Sequence, residues 1–231
     1  MAVAVIPTYN ESESIENLLT RLQELRNLIS RIMVVDDGSN DGTEDIIKKV
    51  NKVYGNVVVL QRGSKKGFGS AIRDGFREAL KDESVKRIVQ MDADLSHDPK
   101  YLRSMFEVDA DIVIGSRYVP GGGTSGWEFT RRIASRTAGW FASLLLMLPA
   151  KDPTAGFKTY SRKASQLVVD ESNENRSMGA FEIETIFIAA KRGLSIREVP
   201  INFINREKGK SKAGLHEVYV VFKFILTHIF Q

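Results

Sequence analysis

A chain of 231 residues with 42% hydrophobic content is long enough for one large domain with a real core, which excludes a disordered chain. It has no cysteine, which rules out disulfides, zinc thiolate sites and cysteine nucleophiles, and its three histidines, His97, His216 and His228, are too scattered for a zinc site. The net charge of +4 is uneven, because segment 117–163 alone carries +6; that surplus suits a phosphate or an anionic membrane face, whereas basic and aromatic residues do not interleave as a nucleic-acid stacking platform requires.

Short apolar runs alternate with helical patterns along the first half. Strands are predicted at 3–6 (VAVI), 32–35 (IMVV), 57–60 (VVVL), 87–91 (RIVQM) and 111–115 (DIVIG), with helices at about 12–28, 42–53, 68–81 and 98–107. Continuous Val/Ile runs belong to strands buried on both faces, and helical crossovers make their pairing parallel, so this half reads as an α/β nucleotide-binding layer structure. After Ser116 a glycine-rich loop, VPGGGTSGW, leads into a long helix over 128–148, basic near its start and apolar towards its end. That pattern suits an interfacial helix, with a core helix packed on the sheet as the alternative. A turn, a short strand, a helix near 180–192 and a strand-like stretch, LSIREVPINFINR, follow, and the chain closes on an apolar helical pattern. The expected division is a catalytic domain over 1–213 and a C-terminal apolar helix over 214–231, which suits docking on a membrane, joining a membrane-bound partner, or a stub of a chain cut before transmembrane segments. The N-terminus has no basic leader, and the longest uncharged stretch, 137–150, falls short of the roughly 20 residues that span a bilayer, so a cytoplasmic start without a membrane crossing is expected.

The chemistry-bearing residues collect where strands end, which is where open α/β sheets bind ligands. Strand one ends in PTYNE, where Tyr9 can lay a ring on a base; strand two ends in DDGSNDGT, where Asp36 and Asp37 can accept hydrogen bonds from a ribose or base. Pro7 and Asn10 also suit simple turn chemistry. Strand four ends in DADLSHDP, where alternation turns Asp92 and Asp94 to one side if extended geometry persists through Ala93. Two such carboxylates repel unless a cation lies between them, and oxygen-only ligands favour Mg²⁺ or Mn²⁺. GSKKGFGSAIRDG lacks the P-loop order and is not a clean dinucleotide fingerprint, and there is no G-x-S-x-G elbow, which disfavours ATP hydrolysis, hydride transfer and acyl transfer.

Together PTYNE, DDGSNDGT, GFGSAIRDGF, MDADLSHDP, GSRYVPGGG with GW, RRIASR, FEIE and EVPINFINREKGKSK resemble the polyprenol-phosphate (dolichol-phosphate) mannosyltransferases of glycosyltransferase family 2, to about Gly214. The resemblance implies a GT-A fold, a Rossmann-like, mostly parallel central sheet with helices on both faces. It implies inverting transfer of mannose from GDP-mannose to the phosphate of a polyprenyl or dolichyl phosphate, with Mg²⁺ or Mn²⁺. By the same resemblance Pro7, Tyr9, Glu11, Val35 and Asp37 contact the nucleotide, and Asp92, Ala93 and Asp94 hold the metal and diphosphate. Ser96 stands where some relatives carry glutamine as a further metal ligand. Arg117, Arg131 and Ser135 face the acceptor phosphate, with Arg117 also on the donor side, while Arg206 and Lys212 close over the donor's phosphates. Catalytic roles fall to Asp94, Arg117, Arg131 and Ser135. Glu182 and Glu184 of FEIE suit assistance or an N-terminal helix charge pair equally.

The implied acceptor makes chemical sense of so many arginines. A phosphate monoester, with a second pKa near ~6, arrives ionised and needs no general base. The expected setting is the cytoplasmic face of a membrane, that of the endoplasmic reticulum in a eukaryote or the cell membrane in a prokaryote, with a membrane-bound subunit as a further partner. Rival readings are a UDP-glucose-dependent polyprenyl-phosphate glucosyltransferase and a nucleotide-sugar-binding regulatory protein without turnover. Intact Asp92, Asp94, Arg117 and Arg206 argue against the latter.

Overall fold

Along β1 (Ala2–Thr8), Val3 and Val5 pack on one side of the sheet and Ala2, Ala4 and Ile6 on the other, so the strand is covered on both faces. The structure, a computed structural model, describes residues 1–205, 223–225 and 227. The chain continues through α1 (Ile15–Gln23), β2 (Arg31–Asp36), α2 (Thr43–Tyr54), β3 (Val57–Gln61), α3 (Phe68–Leu80) and β4 (Arg87–Gln90). A single 3₁₀ turn over Pro99–Tyr101 opens α4 (Leu102–Phe106), and β5 (Ile112–Ser116) follows. Next come β6 (Gly123–Ser125), α5 (Phe129–Leu145), β7 (Lys158–Ser161), α6 (Arg162–Glu171), α7 (Met178–Lys191), β8 (Ile196–Pro200) and β9 (Asn202–Ile204).

Seven strands form the main sheet in the order β3-β2-β1-β4-β7-β5-β8, with β7 antiparallel to both of its neighbours and every other pair parallel. Helices α1, α2 and α4 cover one face, and α3, α6 and α7 the other. The closest helix is α3: a Cβ on its Gly75 would stand 2.4 Å from Val5 Cγ1 and 2.9 Å from Val35 Cγ2, so only glycine lets the helix backbone rest on β1 and β2. The α/β architecture and every strand of the first half agree with the periodicity. Helix α1 ends at Gln23, earlier than expected, because the chain tightens into i−3 hydrogen bonds over Glu24–Arg26.

Two features depart from the sequence-based expectation, while the mostly parallel sheet agrees with it: its one reversed strand is β7, a largely polar KTYS strand in its interior. Helix α6 was not expected after it, although Ser161 Oγ accepts the Ala164 N–H as an N-cap and Ala164 and Val168 face the core. The glycine-rich loop contains β6, which pairs parallel with β9 as a separate ribbon. Of the C-terminal apolar pattern, Lys223, Phe224, Ile225 and Thr227 are described and helical; Phe224 and Ile225 are buried in the core on the α7 side rather than projecting outward. Among the described residues no helix is long and apolar enough to cross a membrane.

Polar β7 is tolerated inside because its buried groups find partners. Lys158 Nζ donates to the Glu182 carboxylate and, at 3.1 Å, to the Glu182 carbonyl, with both side chains fully buried. Gln90 Nε2 donates to Glu182 Oε1, and Tyr160 Oη donates to Gln90 Oε1 at 3.1 Å. Burial pushes the Glu182 pKa up and the Lys158 pKa down, against the attraction between the two. Glu184 is likewise taken, accepting from the Asn173 N–H and Arg176 Nε. The FEIE carboxylates therefore belong to the framework. Replacing Lys158 by methionine leaves a buried carboxylate unpaired and is expected to cost about 3–5 kcal/mol. Urea unfolding measures this, and the additional change Glu182→Leu should recover most of the loss.

Candidate active site

Strands β1, β2, β4, β5 and β8 all point the same way and end at one edge, with the topological switch point between β1 and β4. At the end of β1, Tyr9 is half-buried under Lys65, whose Nζ stands 4.5 Å from the ring centroid. Pro7 and Glu11 are half-buried beside it, and the Glu11 N–H donates to Thr43 Oγ1. At the end of β2 the paired aspartates divide. Asp36 is not placed to receive a ribose: it accepts from Thr8 Oγ1, Ser39 Oγ and the N–H groups of Gly38 and Ser39, which closes the turn. Asp37 pairs with Arg62 at 2.8 Å and accepts from the Lys66 and Gly67 N–H groups, which ties the β3–α3 loop to the site. Val35 is fully buried, with its side chain in the core.

The β4 strand stops at Gln90, and the DADLSHDP loop begins. Ala93 is buried in the core while Asp92 and Asp94 are half-buried on the outside, so alternation survives past the strand end. Leu95 takes φ +63, a left-handed conformation uncommon for leucine, and the Ser96 N–H donates back to Asp94 Oδ1 at 3.0 Å. His97 pins this loop from below: its Nδ1 accepts the Asp92 N–H at 3.1 Å, and its ring stacks on Phe157 at 5.1 Å. Burial lowers the His97 pKa to about 4 despite the attraction of Asp94, with Arg117 adding to the depression, so the ring is neutral and Nδ1 can accept. Ser96 Oγ is buried and has no hydrogen-bond partner among the described residues. Among the described residues no set of three or more His, Asp and Glu side chains is gathered for a metal ion. Two carboxylates with one open hydroxyl fit a hard cation that takes its remaining oxygens from a diphosphate.

Across from this loop is a cation and aromatic cluster. Arg117 is buried and bidentate on Asp152, with Nε to Oδ2 at 2.7 Å and Nη2 to Oδ1 at 2.6 Å, and Nη2 also donates to Thr154. Burial works against its charge, but Asp152 more than restores it and raises the pKa. Two of the three Arg117 side-chain nitrogens are thus held by Asp152. Arg131 lies with its Cζ 4.2 Å over the Trp127 ring, and Arg117 is 5.4 Å from the same ring. Ser135 Oγ accepts from Tyr118 Oη at 2.8 Å, which joins α5 to the β5 end. Arg206 and Lys212 lie outside the described residues.

A family model described as Glycosyl transferase family 2 matches residues 3–168. The chain belongs to glycosyltransferase family 2. It is 38% identical over 212 residues to an undecaprenyl-phosphate mannosyltransferase of Micrococcus luteus, covering 91% of this chain and 86% of that protein. It is also 38% identical over 214 residues to a polyprenol monophosphomannose synthase of Mycolicibacterium smegmatis, covering 91% and 80%. Its fold is that of glucosyl-3-phosphoglycerate synthase from Mycobacterium tuberculosis, with a TM-score of 0.68 at 18% identity over 99% of this chain and 80% of that one. A second structure of that synthase, with Mn²⁺, UDP-glucose and phosphoglyceric acid, gives a TM-score of 0.66 at 18% identity over 99% and 79%. The mostly parallel sheet with helices on both faces is therefore of GT-A type, and the chain is a glycosyltransferase.

Within this family 2 site, sequence reasoning missed Arg62, Lys65, His97, Tyr118, Trp127, Asp152 and Phe203 as participants. His97, Tyr118, Trp127 and Phe203 lie within quoted motifs, MDADLSHDP, GSRYVPGGG, GW and EVPINFINREKGKSK, but nothing local to those motifs gave them their roles. Arg62, Lys65 and Asp152 work through partners far away in the chain. Replacing His97 by phenylalanine keeps a flat ring against Phe157 but removes the acceptor for the Asp92 N–H; the expected cost is about 1–3 kcal/mol. Denaturant unfolding reads that cost, and an unchanged midpoint would show that the hydrogen bond does not hold the loop.

Proposed function

We propose that this family 2 glycosyltransferase moves mannose from GDP-mannose to the phosphate of a polyprenyl phosphate, with inversion, giving a β-mannosyl phospholipid. The observation that carries this reading is the 38% identity across 91% of the chain to two proteins named for mannose transfer to polyprenyl phosphates. The geometry agrees with it. A carboxylate loop and a cation and aromatic cluster face one another at a single sheet edge, as two anionic substrates require.

On the donor side Pro7, Tyr9, Glu11, the Val35 main chain and Asp37 line the nucleotide, and Asp92, Ala93 and Asp94 lie at the diphosphate. Asp92, Asp94 and the open Ser96 hydroxyl would hold Mg²⁺ or Mn²⁺. When bound, such an ion shields the diphosphate and stabilises the departing nucleotide. On the acceptor side Arg131, Ser135 and the outer face of Arg117 orient the phosphate, whose oxygen is already ionised at neutral pH. The work of these residues is alignment and charge screening rather than proton abstraction.

The acceptor's lipid tail accounts for α5. Phe129, Ile133, Trp140, Phe141, Leu144 and Leu145 are exposed along it, and Arg132 and Arg136 are exposed on the same helix. An exposed apolar stripe flanked by arginines suits a helix lying in the bilayer interface. The combined change Trp140→Ser and Leu144→Ser is expected to weaken sedimentation with anionic lipid vesicles about 10-fold or more. Unchanged vesicle binding would remove α5 from the membrane contact.

Transfer of label from nucleotide sugars to a short polyprenyl phosphate tests the chemistry, with GDP-mannose expected to outperform UDP-glucose and EDTA expected to stop the reaction. Asp94→Ala should lower turnover on the order of 10²-fold or more without changing the fold. Arg131→Ala should raise the acceptor KM roughly 10-fold while leaving GDP affinity within about twofold. Equal loss of GDP affinity would move Arg131 to the donor side.

A further inference from the structure

The short ribbon strand β9 lies between the metal loop and the acceptor cluster and touches both with consecutive residues. Phe203 presents its ring edge-to-face to His97, at 5.4 Å and 76°, and to Trp127, at 5.4 Å and 71°. The Arg117 guanidinium stands 5.6 Å from the same ring. Next along the strand, the Ile204 N–H donates to the Ser96 carbonyl at 3.2 Å, inside the metal loop. Asn205 then donates its N–H to Ser125 and accepts from Arg131 Nη1 at 3.4 Å, on the acceptor side. One stack therefore runs Phe157, His97, Phe203, Trp127, Arg131, with ring or cation contacts at each step.

This stack has a specific mechanical character. His97 holds the Asp92 N–H, so a tilt of its ring displaces the backbone that carries the first carboxylate. Trp127 supports the Arg131 guanidinium, so a tilt of the indole displaces the acceptor cation. Phe203 is the ring that contacts both. It belongs to the β6–β9 ribbon, outside the main sheet, and its backbone is carried between the Asn202 N–H bond to Tyr101 Oη and the Ile204 N–H bond to the Ser96 carbonyl, so the ring is held at a fixed place between the two halves. Closely packed rings pass displacement to their neighbours because the packing leaves little room to absorb it.

We propose that Phe203 is a positioning residue that couples the two halves of the site. Occupation of the Asp92 and Asp94 loop by a metal–nucleotide complex tightens binding of a phosphate-bearing lipid at Arg131, and the reverse. The inference rests on the donor and acceptor sides assigned under the proposed function. Coupling of this kind is reciprocal and can be read from binding alone.

The test uses the full chain, GDP with Mn²⁺, and a water-soluble short-chain polyprenyl phosphate, followed by calorimetry. For the unaltered protein, saturation with GDP and Mn²⁺ is expected to lower the Kd for the polyprenyl phosphate at least about fivefold. Phe203→Leu keeps apolar volume but removes the ring; whatever either ligand's own Kd becomes, the ratio should collapse towards one. Phe203→Tyr should restore the ratio, which a merely structural role would not make dependent on an aromatic ring. Trp127→Leu cuts the same stack at its other end and should collapse the ratio too, which keeps the test available if Phe203→Leu folds poorly. A ratio that survives in these variants, or a ratio of one in the unaltered protein, overturns the proposal. Failure of the functional reading shows separately, as absence of mannosyl transfer by the unaltered chain, because the binding ratio needs no turnover.

Discussion

Lys158 and Glu182 sit at the centre of the protein with no exposure to solvent, and neither charge could remain there without the other. Their pairing joins β7 to α7, and β7 in turn separates β4 from β5. Much of the active edge rests on that placement. Gly156, just before β7, lies under the DADLSHDP loop: a Cβ there would stand 3.5 Å from His97 Cε1, 3.6 Å from Glu182 Oε1 and 3.7 Å from Asp92 Oδ1. The negative charge of Asp92 also adds to the upward push on the Glu182 pKa. The buried pair is thus the floor on which the carboxylate loop is laid, and the backbone of that loop is held by His97 at Asp92 and by the β9 residue Ile204 at Ser96.

The basic surplus of segment 117–163 divides by the same logic. Arg117 is neutralised by Asp152 and Lys158 by Glu182, while Arg162 donates to the carbonyls of Leu80, Asp82 and Val85. These cations hold the body together. Those of α5, Arg131, Arg132 and Arg136, remain at the surface or at its margin, beside exposed apolar side chains. The separation matters for any anionic ligand, because a cation neutralised inside the framework contributes little field to it.

Legibility in the sequence followed the range of the interactions. The β/α order of the first half was visible because apolar runs and helical spacing are properties of neighbouring residues. So was the outward facing of Asp92 and Asp94 around Ala93. The two aspartates of strand two looked equivalent, yet Asp36 closes its own turn while Asp37 reaches Arg62 on the next strand end. Val35 carried no local sign that it would be wholly buried. Helix α6 was readable in principle from Ser161 and the spacing of Ala164 and Val168, but its polar first turn hid it.

The sequence by itself determined the layer order of the first half, the loops that carry chemistry and the family, since each depends on local pattern or on motifs contiguous in the chain. Tertiary structure alone decided the reversed β7, the capture of Arg117 by Asp152, the support of Asp92 by His97, and the ring stack that reaches Trp127 through Phe203. The physical reason is that buried charges and rings are placed by partners distant in sequence, and the partner each one finds becomes definite only when the layers close.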